Sequence, residues 1–367
     1  MIRSLMAIVL VLSCFVFTGC GNPEQEVTEK EAGDFGHQIE ESIAKRQVTL
    51  MNEIIDKDGF KKKIVKLKAD IPSDILSGVI TGIRSTRLGA LMIQTLGKVG
   101  TYKMVKQYSK DGVRHLVFRI FTGENLNYHD FELVKRGGTI KAADLYVYAN
   151  GQHFSETMLE SIGIVNDIPA SSAMKANEFA NNVKTMMGHV RNGEVEKAAK
   201  IYDKMPDDLK KQRLVQIIHI QISMGLGDEK YMDAIREFQE LFPDSPNMYL
   251  LLIDKYFLKE DYKNALVNVN HLDSIINRDP FLDYYRAIIY EKMEDQENRQ
   301  RSLEQLHQSM PEFVDGNINL INFYLEFEDD EKAVTLTEEL IRTKKIKASD
   351  LESLFLLYPD YKKKLKI

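Results

Sequence analysis

Cysteine is nearly absent from this chain. There are two in 367 residues, Cys14 and Cys20, and both precede any globular pattern. Residues 21–367 therefore have no disulfide, no thiolate nucleophile and no cysteine-ligated metal. Tryptophan is missing, and 21 glycines and 9 prolines are too few for collagen-like or extended low-complexity sequence. A basic excess is also lacking: the net charge is −6, which argues against nucleic acid as a partner. The eight histidines are scattered without H-E-x-x-H spacing, so no metal and no cofactor is expected. What remains is an ordinary globular balance, 44% hydrophobic and 28% charged, in a chain long enough for two domains.

The first 20 residues read as an export signal. Arg3 supplies positive charge, and Leu5 to Phe17 is apolar apart from Ser13. At about 13 residues this run is short of the ~20 that a spanning helix needs. The small Thr18 and Gly19 then precede Cys20. A plain secretory signal or an uncleaved anchor would explain the apolar run but not the cysteine. The stretch "FTGC" resembles the lipobox of bacterial lipoproteins, with Phe17 where Leu is usual. The resemblance implies cleavage before Cys20 and acylation of its sulfur and amine, which makes membrane lipid the first expected partner. Each buried CH₂ contributes about 0.8 kcal/mol, so two or more chains anchor stably. Residues 1–19 are then the signal peptide, and the polar, acidic residues 20–34 a flexible tether with a reach of roughly 20 Å. Gly21 and Asn22 lack the Asp that retains many lipoproteins at the inner membrane. The resemblance thus favours the outer membrane of a bacterial envelope, facing the periplasm.

Residues 35–165 hold 19 Lys+Arg against 14 Asp+Glu, and their pattern is α+β. Apolar spacing predicts an amphipathic helix over 36–56 and a second, buried helical region over 74–97, broken near Ser85. Gly78, Gly82 and Gly89 would allow it close packing. The period then switches to two in "TYKMVKQYS", "VRHLVFRIF", "NYHDFELVK" and "TIKAADLYVYA", separated by turn residues at 110–112, 122–125 and 137–138. Helices followed by a four-stranded antiparallel meander resemble the nuclear transport factor 2-like cone, in which helices pack on a strongly curved sheet. Some members of that superfamily are enzymes that use Asp, His or Tyr inside the cone for proton transfer. The corresponding candidates are Arg119, Tyr128, His129, Asp130 and Asp144. Strand alternation puts His129 and Asp130 on opposite faces, so a polar cluster would comprise Arg119, His129 and Asp144. The bland alternative is that these are hydrogen-bonded core or solvent-face groups. The basic run "FKKKIVKLK", 60–68, reads either as a solvated helix face or as a contact with anionic headgroups near the tether.

Residues 166–367 hold 28 Lys+Arg against 36 Asp+Glu and keep a helical period throughout. Four stretches rhyme, at 193–205, 229–241, 260–272 and 329–341, each with acidic or polar residues ahead of a small Ala: Ala199, Ala234, Ala265 and Ala333. Residues 298–310 fill the missing register, with Arg299 or a neighbour in place of Ala. The spacing resembles the 34-residue tetratricopeptide repeat, a pair of antiparallel helices. Four or five divergent repeats would cover 176–345, with 349–367 as a capping helix. The resemblance implies an α-solenoid whose concave face exposes Asn247, Asp254, Tyr284, Ile288 and Asn322 and binds a peptide or an envelope protein. Its other use is structural, holding a neighbouring domain. The sequence thus favours a non-catalytic, lipid-anchored scaffold, with a small-molecule or enzymatic cone as the competing reading.

Overall fold

The computed structural model describes residues 24–68, 71, 73–85, 87–123, 125–167, 174–243, 245 and 248–366. Cys20, the signal segment and Asn247 lie outside the described residues. An α+β half with an antiparallel sheet is followed by an all-α half, as the sequence pattern predicts.

The expected tether is overturned for residues 24–34. Strand β1 (Glu24–Gln25) pairs with Arg136 and Lys135, and helix α1 (Glu29–Ala44) begins where free chain was expected. The cause is local. Thr28 accepts from the Glu31 amide, and the Glu31 carboxylate accepts from the Thr28 amide, a capping box already written in "TEKE". Val27, Ala32, Phe35, Ile39 and Ile43 then bury one stripe of the helix. The helix expected over 36–56 instead ends at Ala44, where Arg46 takes a left-handed conformation at φ 58°. A short helix α2 (Thr49–Asn52) follows, and then α3 (Lys57–Leu67), capped by Asp56 and seated through Phe60 and Ile64.

The 74–97 region is two helices, α4 (Ser73–Ser85) and α5 (Leu88–Leu96), so the break falls where expected. Its burial does not: Ser73, Ser77, Gly78 and Thr81 face solvent. Of the glycines expected to allow close packing, Gly89 does so, against the Val48 backbone, and donates its N–H to Asn52 Oδ1 at 2.8 Å. A side chain at Gly78 would meet open space.

The meander comprises β2 (Thr101–Lys110), β3 (Val113–Phe121), β4 (Leu126–Arg136) and β5 (Thr139–Val147), extended by β6 (Gln152–His153). The β2–β3 and β4–β5 turns place Asp111-Gly112 and Gly137-Gly138 at positive φ, as tight hairpins require. Register shifts at Met104/Lys106 and Glu132/Leu133 bend the sheet. One face, with Leu116, Phe118, Ile120, Phe131, Leu133 and Leu145, packs on α1–α5. The other carries Val117, Arg119, Phe121, Tyr128 and Asp130. Helix α6 (Phe154–Asp167) leads out of the sheet.

The second half is a row of antiparallel hairpins: α7 (Ala176–Arg191) with α8 (Val195–Asp203), then, after a turn α9 (Asp207–Lys210), α10 (Arg213–Met224) with α11 (Asp228–Leu241). There follow α12 (Met248–Leu258) with α13 (Tyr262–Ile276), α14 (Leu282–Lys292) with α15 (Gln296–Ser309), and α16 (Val314–Glu326) with α17 (Asp330–Arg342). The last three hairpins repeat one turn at 34-residue spacing. Glu260, Glu294 and Glu328 each have φ between 56° and 58°, and the next residue, Asp261, Asp295 or Asp329, caps the following helix. Ala234, Ala265 and Ala333 are fully buried, as the repeat pattern requires, but in the first hairpin the buried alanine is Ala198 rather than Ala199. Arg299 takes the alanine position in the fourth hairpin, where Glu291 and Glu326 hold its guanidinium at 3.1 and 2.8 Å over the Phe323 ring. The expected capping helix is two short ones, α18 (Glu352–Leu357) and α19 (Pro359–Lys364), which close the end of the array with Leu351, Leu354 and Tyr361.

The α5 seat is testable. In Gly89→Ala the new methyl would lie 2.4 Å from the Val48 carbonyl oxygen. The variant should lose about 1–3 kcal/mol in urea unfolding. An unchanged midpoint would show that α5 does not rest on Val48.

Candidate functional site

The register separates Arg119, His129 and Asp144, so the expected cone cluster does not exist. Phe118 pairs with His129, Arg119 with Tyr128, and Asp144 with Glu132. His129 points into the helix-covered face beside Tyr102 and Phe131, and its Nδ1 lies 3.3 Å from the Tyr102 hydroxyl. Burial pushes its pKa down to about 3, so the ring is neutral at ordinary pH. Asp144 is 1% exposed and serves as a local cap, accepting from Ser155 Oγ at 2.5 Å and from the amides of Leu145 and Ser155. Burial raises its pKa against those hydrogen bonds. Both are packed structural groups, the bland alternative of the sequence reading.

Arg119 faces the other way, toward the helical half. Its Nη1 donates to Asp279 Oδ1 at 2.5 Å, across 160 residues of sequence. Tyr128 donates to Asp279 Oδ2 at 2.9 Å, and the Phe281 amide donates to Oδ1 at 3.0 Å. Arg119 and Asp279 are 4% and 1% exposed. The guanidinium also lies over the Phe281 ring, 4.4 Å from its centroid, and Phe121 packs on Phe281 and Phe313. Around this polar centre, Val117 and Tyr128 share one apolar cluster with Ile253, Leu282 and Ile289. The sheet's second face is therefore covered by α12, α14 and the loops ahead of α14 and α16. Arg213, at the start of α10, adds a bond to the Asn150 carbonyl at 2.8 Å.

Two of the expected groove positions make contacts within the chain. Asp254 is half-buried and accepts from Tyr231 of the preceding hairpin at 2.8 Å, and burial raises its pKa. Tyr284 packs edge-on against Phe313, 5.2 Å between centroids, and beside Phe281. Both contacts lie within the helical half. Ile288 and Asn322 remain half-exposed.

Sequence reasoning missed a second polar group on the same sheet face, beyond the junction. Asp130 accepts from Tyr108 OH at 2.5 Å and lies 2.9 Å from His115 Nδ1, and the His115 and Tyr108 rings stack at 4.6 Å. A carboxylate that orients an imidazole through Nδ1 is an arrangement suited to general-base work. The alternation that parts His129 from Asp130 also turns Asp130 toward His115, a cross-strand pairing visible only once the register is known. Asp279 and Phe313 carried no signal for the same reason.

Two open clefts lie elsewhere on the helical half. One, of about 600 Å³, includes Asp273, Arg278, Asp283, Arg286 and Arg301, with Arg286 held by both aspartates. The other, of about 580 Å³, lies over α15–α17 and includes Glu304, His307, Tyr324 and Lys332. Among the described residues no group of three or more His, Cys, Asp or Glu is placed to hold a metal ion. No family model and no curated protein matches the chain.

Two outcomes follow. Arg119→Met strands the Asp279 charge and should cost about 3–5 kcal/mol in denaturant unfolding; a loss below about 1 kcal/mol would show that the pair does not hold the junction. For His129 the folded pKa lies below the unfolded one, so between pH 6.5 and about 3 the unfolded chain binds more protons and stability falls with acidification. His129→Gln should remove up to about 1.4 kcal/mol per pH unit from that slope. An unaltered slope would mean that the ring is not desolvated.

Proposed function

We propose that this chain is a lipid-anchored lipoprotein of the bacterial envelope and a non-catalytic scaffold whose tetratricopeptide-like repeats hold a partner protein or peptide. The observation that carries the reading is the 34-residue recurrence of hairpin turn, left-handed Glu and capping Asp through α12–α17. A stack of such hairpins presents a long continuous surface, the property for which solenoids are used in recognition. The α+β half supports it as a rigid neighbour. Its helices over a bulged meander accord with the nuclear transport factor 2-like cone, and the closed setting of His129 and Asp144 weighs against chemistry inside that cone. The "FTGC" stretch supports acylation of Cys20 and residence on the outer membrane, facing the periplasm. Among the described residues no helix is long and apolar enough to cross a membrane.

A second reading, a small-molecule site, is favoured by one observation. The Tyr108–Asp130–His115 chain sits on the sheet's outer face, outside the cone.

Photocrosslinking in living cells separates the two, with probes at Ile288, Asn322 and Thr335 and a control at Ile275 on α13. One recurring protein adduct from the first three positions, absent from the control, is the expected result. Correctly anchored protein without adducts would remove the scaffold reading and favour the Asp130 site. Cys20→Ser should move the protein into the soluble fraction; retention on membranes would defeat the lipid anchor.

A further inference from the structure

Helix α3 is short, strongly basic and only half used by the fold. Phe60 and Ile64 are fully buried and seat one stripe on the α+β core. Lys63 turns back to an ion pair with Glu132. The opposite surface presents Lys61, Lys62 and Lys66 around Val65, which is 38% exposed, and Lys68 follows at the exposed end of the helix. Among the described residues, Lys61, Lys66 and Lys68 have no carboxylate at ion-pair distance.

The chain terminus that would carry the lipid is fastened to this same helix. Glu24 Oε1 lies 2.8 Å from Lys62 Nζ and also pairs with Arg136. Arg136 in turn bonds Asp56 at 3.1 Å, and Asp56 caps α3. Cys20 precedes Glu24 by four residues, a reach of at most about 14 Å. Strand β1 and the capping box of α1 remove the slack that a free 15-residue tether would have provided. An acyl chain on Cys20 thus brings the bilayer within reach of α3.

We propose that the exposed face of α3 lies on the membrane surface, with Lys61, Lys66 and Lys68 among anionic phospholipid headgroups and Val65 at the acyl boundary. This rests on the reading of Cys20 as the acylated residue. The charge distribution sets the orientation: α3 is cationic, whereas residues 166–367 carry eight more acidic than basic side chains and are repelled by an anionic surface. Each lysine near such a surface adds about fivefold to binding, so three together give roughly a hundredfold preference for this pose. The protein would stand on its α+β half, with the helical array projecting away from the lipid.

The test uses the full lipidated chain, reconstituted into vesicles of phosphatidylcholine with phosphatidylglycerol and a nitroxide-bearing quencher lipid. A fluorophore is attached at Val65→Cys or, as control, at Val267→Cys on α13, since no other thiol remains once Cys20 is acylated. Strong quenching at 65, little at 267, and loss of the difference in pure phosphatidylcholine is the expected result. Lys61→Glu/Lys66→Glu/Lys68→Glu should abolish quenching at 65 while the protein still floats with the vesicles and melts unchanged. Flotation with no excess quenching at 65 would overturn the proposal and leave the anchor standing, with the face open to an acidic protein instead. Failure to float would remove the anchor and this inference together.

Discussion

The Asp279 carboxylate is the point on which the two halves of this protein depend. It lies in a loop of the helical half, yet its donors Arg119 and Tyr128 come from two neighbouring strands of the sheet. A carboxylate with almost no water around it is costly unless every lone pair is met. Here the guanidinium, the phenol and the Phe281 amide meet it, and the ring of Phe281 covers the guanidinium. The geometry admits one relative placement of sheet and helices. Apolar contacts around it contribute most of the burial, but they are non-directional, and the charged centre supplies the register between the halves.

Because the junction closes the sheet's second face, the meander is covered on both sides. That accounts for the nearly unbroken burial from His115 to Phe121 in β3 and from Tyr128 to Val134 in β4, where a one-sided sheet would alternate. It also determines what the helical array can offer. Phe281 and Phe313 are spent on Phe121 of the sheet, while Ile288, Asn322 and the cleft over α15–α17 stay partly open to solvent. Strand β1 lies along the end of the interior strand β4, so the N-terminal segment, the basic helix and the sheet form one continuous body.

Much of the architecture was legible in the sequence because its determinants are local. Period-two strands, Asp-Gly and Gly-Gly turns, and a small alanine early in the second helix of most hairpins each depend on neighbours within a few residues. Some local signals were present but passed over: "TEKE" is a capping box, and "KED", "MED" and "FED" at 259–261, 293–295 and 327–329 mark the recurring left-handed turn. The difference at 24–34 comes from composition, since acidic residues suggest free chain where Glu24 and Glu31 make ion pairs.

The polar residues are where sequence reasoning stopped. An arginine in a strand is the same letter whether it meets solvent, a substrate or an aspartate 160 residues away, and only strand register and domain docking tell these apart. The amino-acid order alone determined the elements, the α+β then all-α division and the placement of Cys20 after an apolar run, all consequences of short-range chemistry. Tertiary structure decided that His129 and Asp144 never meet and that Asp130 pairs with His115. Those outcomes depend on long-range pairing, where a one-residue change of register would send each side chain to the other face.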